Sequence, residues 1–269
     1  MTDTARVALV TGASAGLGRA CADRLAAAGW TVAGASRRGT GSTGWGGLVM
    51  DVDDDASVQA GVAGLLAEHG HIDALVAAAG WGVAGAVEDT SIAEAKAQFE
   101  TNFWGCVRVV QAVLPQMRAR RAGRIVLLSS LGGVIGIPFQ AYYSASKFAL
   151  EGWAESLAYE VAPFGVSVTL IQPGNFATDF TASRKMAAAS GHGDYVAATT
   201  KAVEVMERDE RNGAPPADVA AAILRVLQSR RPPRRVPVGK AAERAGVFAK
   251  RLLPFRVFEA AAKGGLGVD

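Results

Sequence analysis

Arg6-Val-Ala-Leu-Val-Thr-Gly-Ala-Ser-Ala-Gly-Leu-Gly18 is the stretch from which the fold can be read. Its first six residues form a short apolar run without polar alternation, the pattern of a parallel strand buried on both faces. Gly12 ends the run. From Gly16 the apolar positions Leu17, Ala20, Cys21, Leu25 and Ala28 recur at three- and four-residue steps until Gly29, which predicts a helix packed along one face. A strand that turns through glycines into a helix leaves backbone N–H groups pointing out of the helix N-terminus. Gly12, Gly16 and Gly18, spaced Gly-x-x-x-Gly-x-Gly, would let that main chain approach a pyrophosphate closely.

Outward from this unit the same alternation continues. Thr31–Ala35, Leu48–Asp51 and Ile72–Ala79 read as the second, third and fourth strands, with a helix at Ser57–Glu68. Ser91 with Glu94 three residues later forms a capping box; the helix it opens runs through Phe99 and, with a break near Gly105, to Met117. Arg124–Ser129 is a fifth strand, a helix follows from Gln140 to about Ala162, and Val166–Gln172 is a sixth strand stopped by Pro173-Gly174. Ala217–Ser229 predicts a helix, Arg234–Val238 a seventh strand, and 240–263 a C-terminal helix interrupted by Pro254, read as packing or a subunit interface. Residues 177–213 show no strand pattern and many small residues, so they are expected to be irregular or a pair of short mobile helices forming a substrate lid. The expectation is an α/β fold: a Rossmann-like doubly wound parallel sheet of about seven strands, in one domain spanning 1–269.

Composition narrows the function classes. Half of the 269 residues are hydrophobic and 20% are charged, which excludes a disordered chain. The longest apolar run, Ala74–Val87, is broken by Gly80, Gly82 and Gly85 and is too short to span a bilayer, and Met1–Arg6 is polar, so a soluble cytoplasmic protein is expected. Cys21 and Cys106 have no second Cys or His at ligand spacing and read as structural thiols, with no metal site. The arginines at 118, 120, 121 and 124, and at 230, 231, 234 and 235, have no interleaved aromatics and read as solvated faces rather than a nucleic-acid surface.

The chemistry sits in Gln140-Ala-Tyr-Tyr-Ser-Ala-Ser-Lys-Phe-Ala-Leu150. On a helix, Tyr143 and Lys147 share a face, and an ammonium beside a phenol favours the phenolate, so the pair could exchange a proton. Taken with the glycine loop and the Ser129-Ser130 pair between them, the chain resembles the single-domain branch of the short-chain dehydrogenase/reductase family over residues 5 to about 180. The resemblance implies that Ser130, thirteen residues before Tyr143, bonds a substrate carbonyl; that Tyr143 is the general acid/base; that Lys147 holds the nicotinamide ribose and lowers the tyrosine pKa; and that Asn102 positions a proton-relay water. It further implies a cofactor held by Gly12, Ser14, Gly16, Leu17 and Gly18, by Asp51 and Val52 at the adenine, by Ala78, Ala79 and Gly80 along one wall, and by Pro173, Gly174 and Thr178 at the nicotinamide.

Where a carboxylate after the second strand would bind the ribose hydroxyls of NAD, this chain has Ser36-Arg37-Arg38, which can bond and neutralise a 2′-phosphate, so NADP(H) is expected. Against this, Ala15 stands where many NADP-dependent relatives have a basic residue. Ala77-Ala78-Ala79-Gly80 departs from the family's Asn-Asn-Ala-Gly and should weaken local bracing. A mostly apolar wall of Trp81, Val134, Phe139, Gln140 and Phe176, without an arginine pair, points to a medium-sized apolar ketone or secondary alcohol. The likeness is greatest to hydroxysteroid and retinol dehydrogenases, and relatives form homodimers or homotetramers through helices at about 104–118 and 143–162. The alternative is a catalytically silent NADP-binding regulatory protein of the same fold.

Overall fold

The apolar runs become strands because each is covered from both sides. A computed structural model describes residues 6–266. Residues 1–5, most of the polar start noted above, lie outside the described residues, as do 267–269. The strands are β1 (Val7–Thr11), β2 (Thr31–Ser36), β3 (Gly46–Val49), β4 (Ala74–Ala77), β5 (Val83–Ala84), β6 (Gly123–Leu128), β7 (Val166–Pro173), β8 (Lys185–Met186) and β9 (Arg235–Val238). The helices are α1 (Gly16–Ala27), α2 (Asp55–His69), α3 (Ile92–Phe99), α4 (Cys106–Arg120), α5 (Ala141–Val161), α6 (Phe180–Ser183), α7 (Val196–Arg211), α8 (Pro216–Gln228), α9 (Ala241–Leu252) and α10 (Phe255–Leu266).

Seven strands form one parallel sheet in the order β3-β2-β1-β4-β6-β7-β9. The chain winds outward from β1 in one direction and then restarts beside it at β4. The carboxyl ends of β1 and β4 therefore diverge into a crevice, the place where such sheets bind ligands. Successive residues of a strand face opposite sides. Leu9, Leu75, Ile125 and Leu127 join a core with α2, α4 and α5. Ala8, Val10, Val76, Val126 and Leu128 join a second core with α1 and α8. Cys21 and Cys106 are free and buried in these layers, and burial pushes both thiols up to about 12, as expected of structural cysteines.

Five of the arginine side chains in these two groups have partners within the protein. Arg120 pairs with Asp73 at 3.1 Å, Arg124 bonds Ser167 and the Ser229 carbonyl at 3.1 Å each, and Arg235 holds Glu151 at 2.8 Å and Glu155 at 2.6 Å. Arg121 donates to the Pro163 carbonyl, and Arg234 lies over the Tyr159 ring.

Three expectations are corrected. The third strand is Gly46–Val49, earlier than Leu48–Asp51, because residues 50–53 leave the sheet as a turn into α2, which Asp54 caps. The 177–213 segment is not strandless: it contains α6, the sixteen-residue α7, and β8, which pairs with β5. Residues 240–263 form two helices, not one, since Pro254 cannot donate to a continuing helix. The break near Gly105 is a π-helical turn, Glu100–Gly105, between α3 and α4.

The run Ala77–Gly80 is braced from the neighbouring strand. Thr11, at the end of β1, accepts hydrogen bonds on Oγ1 from the N–H of Ala78 at 3.1 Å and of Ala79 at 3.2 Å. Gly12 keeps the two loops close, because a Cβ there would lie 2.9 Å from the Ala78 carbonyl oxygen. Thr11→Val keeps the shape but orphans two N–H groups. It is expected to lower the unfolding free energy by about 1–3 kcal/mol in urea titration, whereas Thr11→Ser should lose far less.

Candidate active site

Helix α5 and the end of β6 bring the reactive groups together. Lys147 is 6% exposed, and its ammonium donates to the Leu128 carbonyl at 2.8 Å. Its Nζ lies 5.9 Å from the centre of the Tyr143 ring, one helical turn earlier. Ser130 follows β6, caps a short 3-10 turn by accepting the Gly132 N–H at 3.0 Å, and hydrogen-bonds the Tyr143 phenol. Gly80, past the end of β4, lies between the other two groups: a Cβ there would be 3.1 Å from Asn102 Oδ1 and 3.7 Å from Lys147 Nζ.

Asn102 lies in the π-helical turn and is buried. Its Oδ1 accepts the Trp81 N–H at 3.0 Å, while its Nδ2 donates to the Trp81 carbonyl at 3.0 Å and to Ser146 Oγ at 3.2 Å. The side-chain amide is thus occupied by the Trp81 backbone and Ser146. It braces the Trp81 loop from both of its backbone groups.

Electrostatics here also differ from the expectation. Burial pushes the Tyr143 phenol above its ordinary range, opposed by the Ser130 hydrogen bond; Glu210 raises it further and Arg184 lowers it. Burial lowers the Lys147 ammonium from the usual 10.5 to about 8. Lys147 is not among the groups that move Tyr143 here; burial is the largest cause for both residues.

All of the residues expected to hold a dinucleotide line one cleft of about 1060 Å³, together with Ser130. Asn102 stands behind its wall. At the floor, Gly12 and Gly16 have φ of 68° and 53°, and a Cβ on Gly18 would strike the Gly12 carbonyl at 2.3 Å. Ala15 provides no side-chain cap for α1, so no side chain occupies the amides at its N-terminus. At the far end Ser36 Oγ is buried without a partner among the described residues, and Arg37 and Arg38 are exposed. These features fit a phosphate-bearing dinucleotide.

In the other half of the cleft, Trp81, Gln140 and Phe176 line the wall as expected, and Gln140 Nε2 is buried without a partner among the described residues. Val134 and Phe139 do not; Ile135 and Ile137 take their place, since residues 134–140 turn and Phe139 adopts φ 58°. Sequence reasoning missed Phe180, whose ring lies 5.8 Å from that of Tyr143, and the contributions of Met206, Glu210, Leu253 and Phe258. Glu210 is held by Thr181 at 2.6 Å and by the buried Arg184. Residues 185–187 are pinned to the loop at β5: Lys185 N–H donates to the Gly82 carbonyl at 2.9 Å, Ala187 N–H to that of Ala84 at 2.8 Å, and Lys185 Nζ lies 4.5 Å over Trp81.

Comparison with known proteins matches residues 6–188 to the short chain dehydrogenase family. The chain belongs to that family. It is 41% identical over 251 residues to a 3-ketodihydrosphingosine reductase of Bacteroides thetaiotaomicron, covering 93% of each chain. It is 34% identical to retinol dehydrogenase 8 of Bos taurus, over 87% of this chain and 82% of that one. Among solved structures, a short-chain dehydrogenase from Streptomyces avermitilis superposes with a TM-score of 0.85 at 33% identity, covering 98% of this chain and 99% of the other. The chain is thus an oxidoreductase of a family that binds a nicotinamide dinucleotide.

Lys147 also leaves a mark on stability. Between pH 8 and 10.5 the native state has released this proton while the unfolded chain still holds it, so stability rises with pH in that window. The retained Tyr143 proton acts with the opposite sign only above pH 10. Urea titrations at about pH 7.5 and about pH 9.5 should show wild type gaining stability relative to Lys147→Met, and no relative gain would contradict the buried ammonium.

Proposed function

We propose that the dehydrogenase is an NADP(H)-dependent ketoreductase, transferring hydride between the nicotinamide and the ketone or secondary alcohol of a mainly apolar substrate. The observation that carries this reading is the Tyr143 phenol, bonded to Ser130, one turn from Lys147 and facing a cleft whose outer half is largely apolar. NADPH, when bound, supplies the hydride. Ser130 anchors the carbonyl oxygen by a hydrogen bond, and Tyr143 donates its phenolic proton to that oxygen as it becomes the alcohol. A phenol held protonated by burial suits this reducing direction. Lys147 places positive charge beside the phenolate that results and is the group proposed to hold the ribose. Phe180 and Trp81 shield the reacting centre from water.

The reductase name of the Bacteroides relative makes 3-ketodihydrosphingosine, a long-chain amino ketone, the first substrate to test. The unpartnered Ser36 hydroxyl and the exposed Arg37 support NADP over NAD, because they offer a donor and a charge to a 2′-phosphate. We read the chain as one cytoplasmic domain acting as a homodimer or homotetramer, an assembly supported by Trp104, half exposed in the π-helical turn that leads into α4. The alternative, a silent NADP-binding regulator, is disfavoured by the complete set of Ser130, Tyr143 and Lys147.

Tyr143→Phe is expected to bind NADPH as wild type does, by fluorescence titration, while losing about 10²–10⁴-fold in turnover. Near-normal turnover would remove Tyr143 from its role. In parallel titrations with NADPH and NADH, Arg37→Ala should weaken NADPH binding about tenfold or more and leave NADH unchanged. Tighter binding of NADH by wild type would overturn the NADP assignment.

A further inference from the structure

Helices α9 and α10 wall the substrate half of the cleft on one side and present an apolar surface on the other. Gly246, Ala249, Leu253 and Phe258 line the cleft, and Val247 is buried. Phe248, Leu252 and Val257 are 56%, 81% and 54% exposed. Arg244, Phe248 and Leu252 follow one another at four-residue steps, which places them on one stripe of α9. Leu253 joins the two sides, being 41% exposed and also part of the cleft wall.

Charge sets this segment apart. Residues 240–263 hold six Lys or Arg against two Asp or Glu, a net of +4, whereas the whole chain carries +3. Of the two carboxylates, Glu243 turns inward, accepting the N–H of Asn175 at 3.2 Å and of Lys240 at 2.9 Å. Glu259 is paired with Lys263 at 3.2 Å. The segment is also anchored at a defined orientation, since Lys250 donates to the Val134 carbonyl and lies 5.1 Å over Phe148. Helices with exposed apolar residues among basic ones match a bilayer interface with anionic headgroups. A second copy of the same face would bring like charges together, so self-association fits it less well.

We propose that α9 and α10 dock the enzyme on an anionic lipid surface. Resting on the reductase reading, this docking would also let a long-chain ketone pass from the bilayer past Leu253 into the cleft without crossing water. Flotation of the full chain with phosphatidylcholine vesicles, with and without phosphatidylglycerol, tests the docking. Binding to the anionic vesicles should be at least about tenfold stronger than to neutral ones. The Phe248→Ser/Leu252→Ser double variant should weaken it at least about tenfold, and Arg244→Glu/Arg256→Glu should abolish the preference for anionic lipid. All four residues are exposed, so turnover of a short water-soluble ketone should be unchanged, which also reports that the variants fold. Absence of flotation, equal flotation on both vesicle types, or flotation unaffected by the double variant would each overturn the proposal. Loss of a dimer in sedimentation for Phe248→Ser/Leu252→Ser, with no vesicle binding by wild type, would assign the face to a second copy instead. Flotation is read without turnover, so a chain that floats but reduces nothing counts against the reductase reading alone, and an active chain that does not float counts against docking alone.

Discussion

The buried ammonium of Lys147 is the constraint on which the rest of the site depends. A charge removed from water is expensive unless polar groups face it, and here the Leu128 carbonyl at the end of β6 does so at 2.8 Å. That bond ties the first turns of α5 to the carboxyl end of β6, Ser144 Oγ ties them to the preceding loop by accepting the Ile137 N–H at 3.0 Å, and Tyr143 sits one turn earlier than the lysine. Ser130, two residues beyond Leu128, is brought to the phenol by the same strand end. The residual strain is electrostatic rather than conformational: the lysine holds its proton less tightly and the tyrosine more tightly than in water. A site so arranged is set for a partner that completes its charge balance.

The surroundings limit how that centre can move. The clamp of Asn102 on both backbone groups of Trp81, the bonds of Thr11 to Ala78 and Ala79, and the β5–β8 pairing all hold loops at the carboxyl edge of the sheet. Small residues matter where main chains meet, as at Gly12 and Gly18. The family's asparagines are missing at positions 77 and 78, yet the backbone there is bonded, because Thr11 supplies an acceptor from β1. Bracing is a property of the pair of loops and need not sit on either one alone.

Much of the fold was legible because it rests on local pattern. The unalternated apolar runs, the glycine turn after Thr11 and the capping box at Ser91 each report short-range sterics and hydrogen bonding. The seven-stranded parallel sheet follows from their order. What failed was of another kind. The two-residue strands Val83–Ala84 and Lys185–Met186 exist only as each other's partners, about a hundred residues apart, so no periodicity announces them. Phe139 and Val134 were expected in the substrate wall outside the carboxyl ends of the strands, but the backbone turn at Phe139 gives the wall to Ile135 and Ile137.

The sequence by itself determined the class of fold, the cleft at the carboxyl ends of the strands and the grouping of Ser130, Tyr143 and Lys147 along it, since these depend on residue type at fixed local spacing. Only the tertiary structure decided how that set is tuned and enclosed. The shifts of Tyr143 and Lys147 arise from burial beneath elements far apart in the chain. The Arg184–Glu210 pair, the Phe180 ring over the tyrosine and the wall made by α9 and α10 come from segments whose contacts are long-range. Desolvation and packing of this kind have no sequence period, because they are sums over neighbours that the folded chain alone assembles.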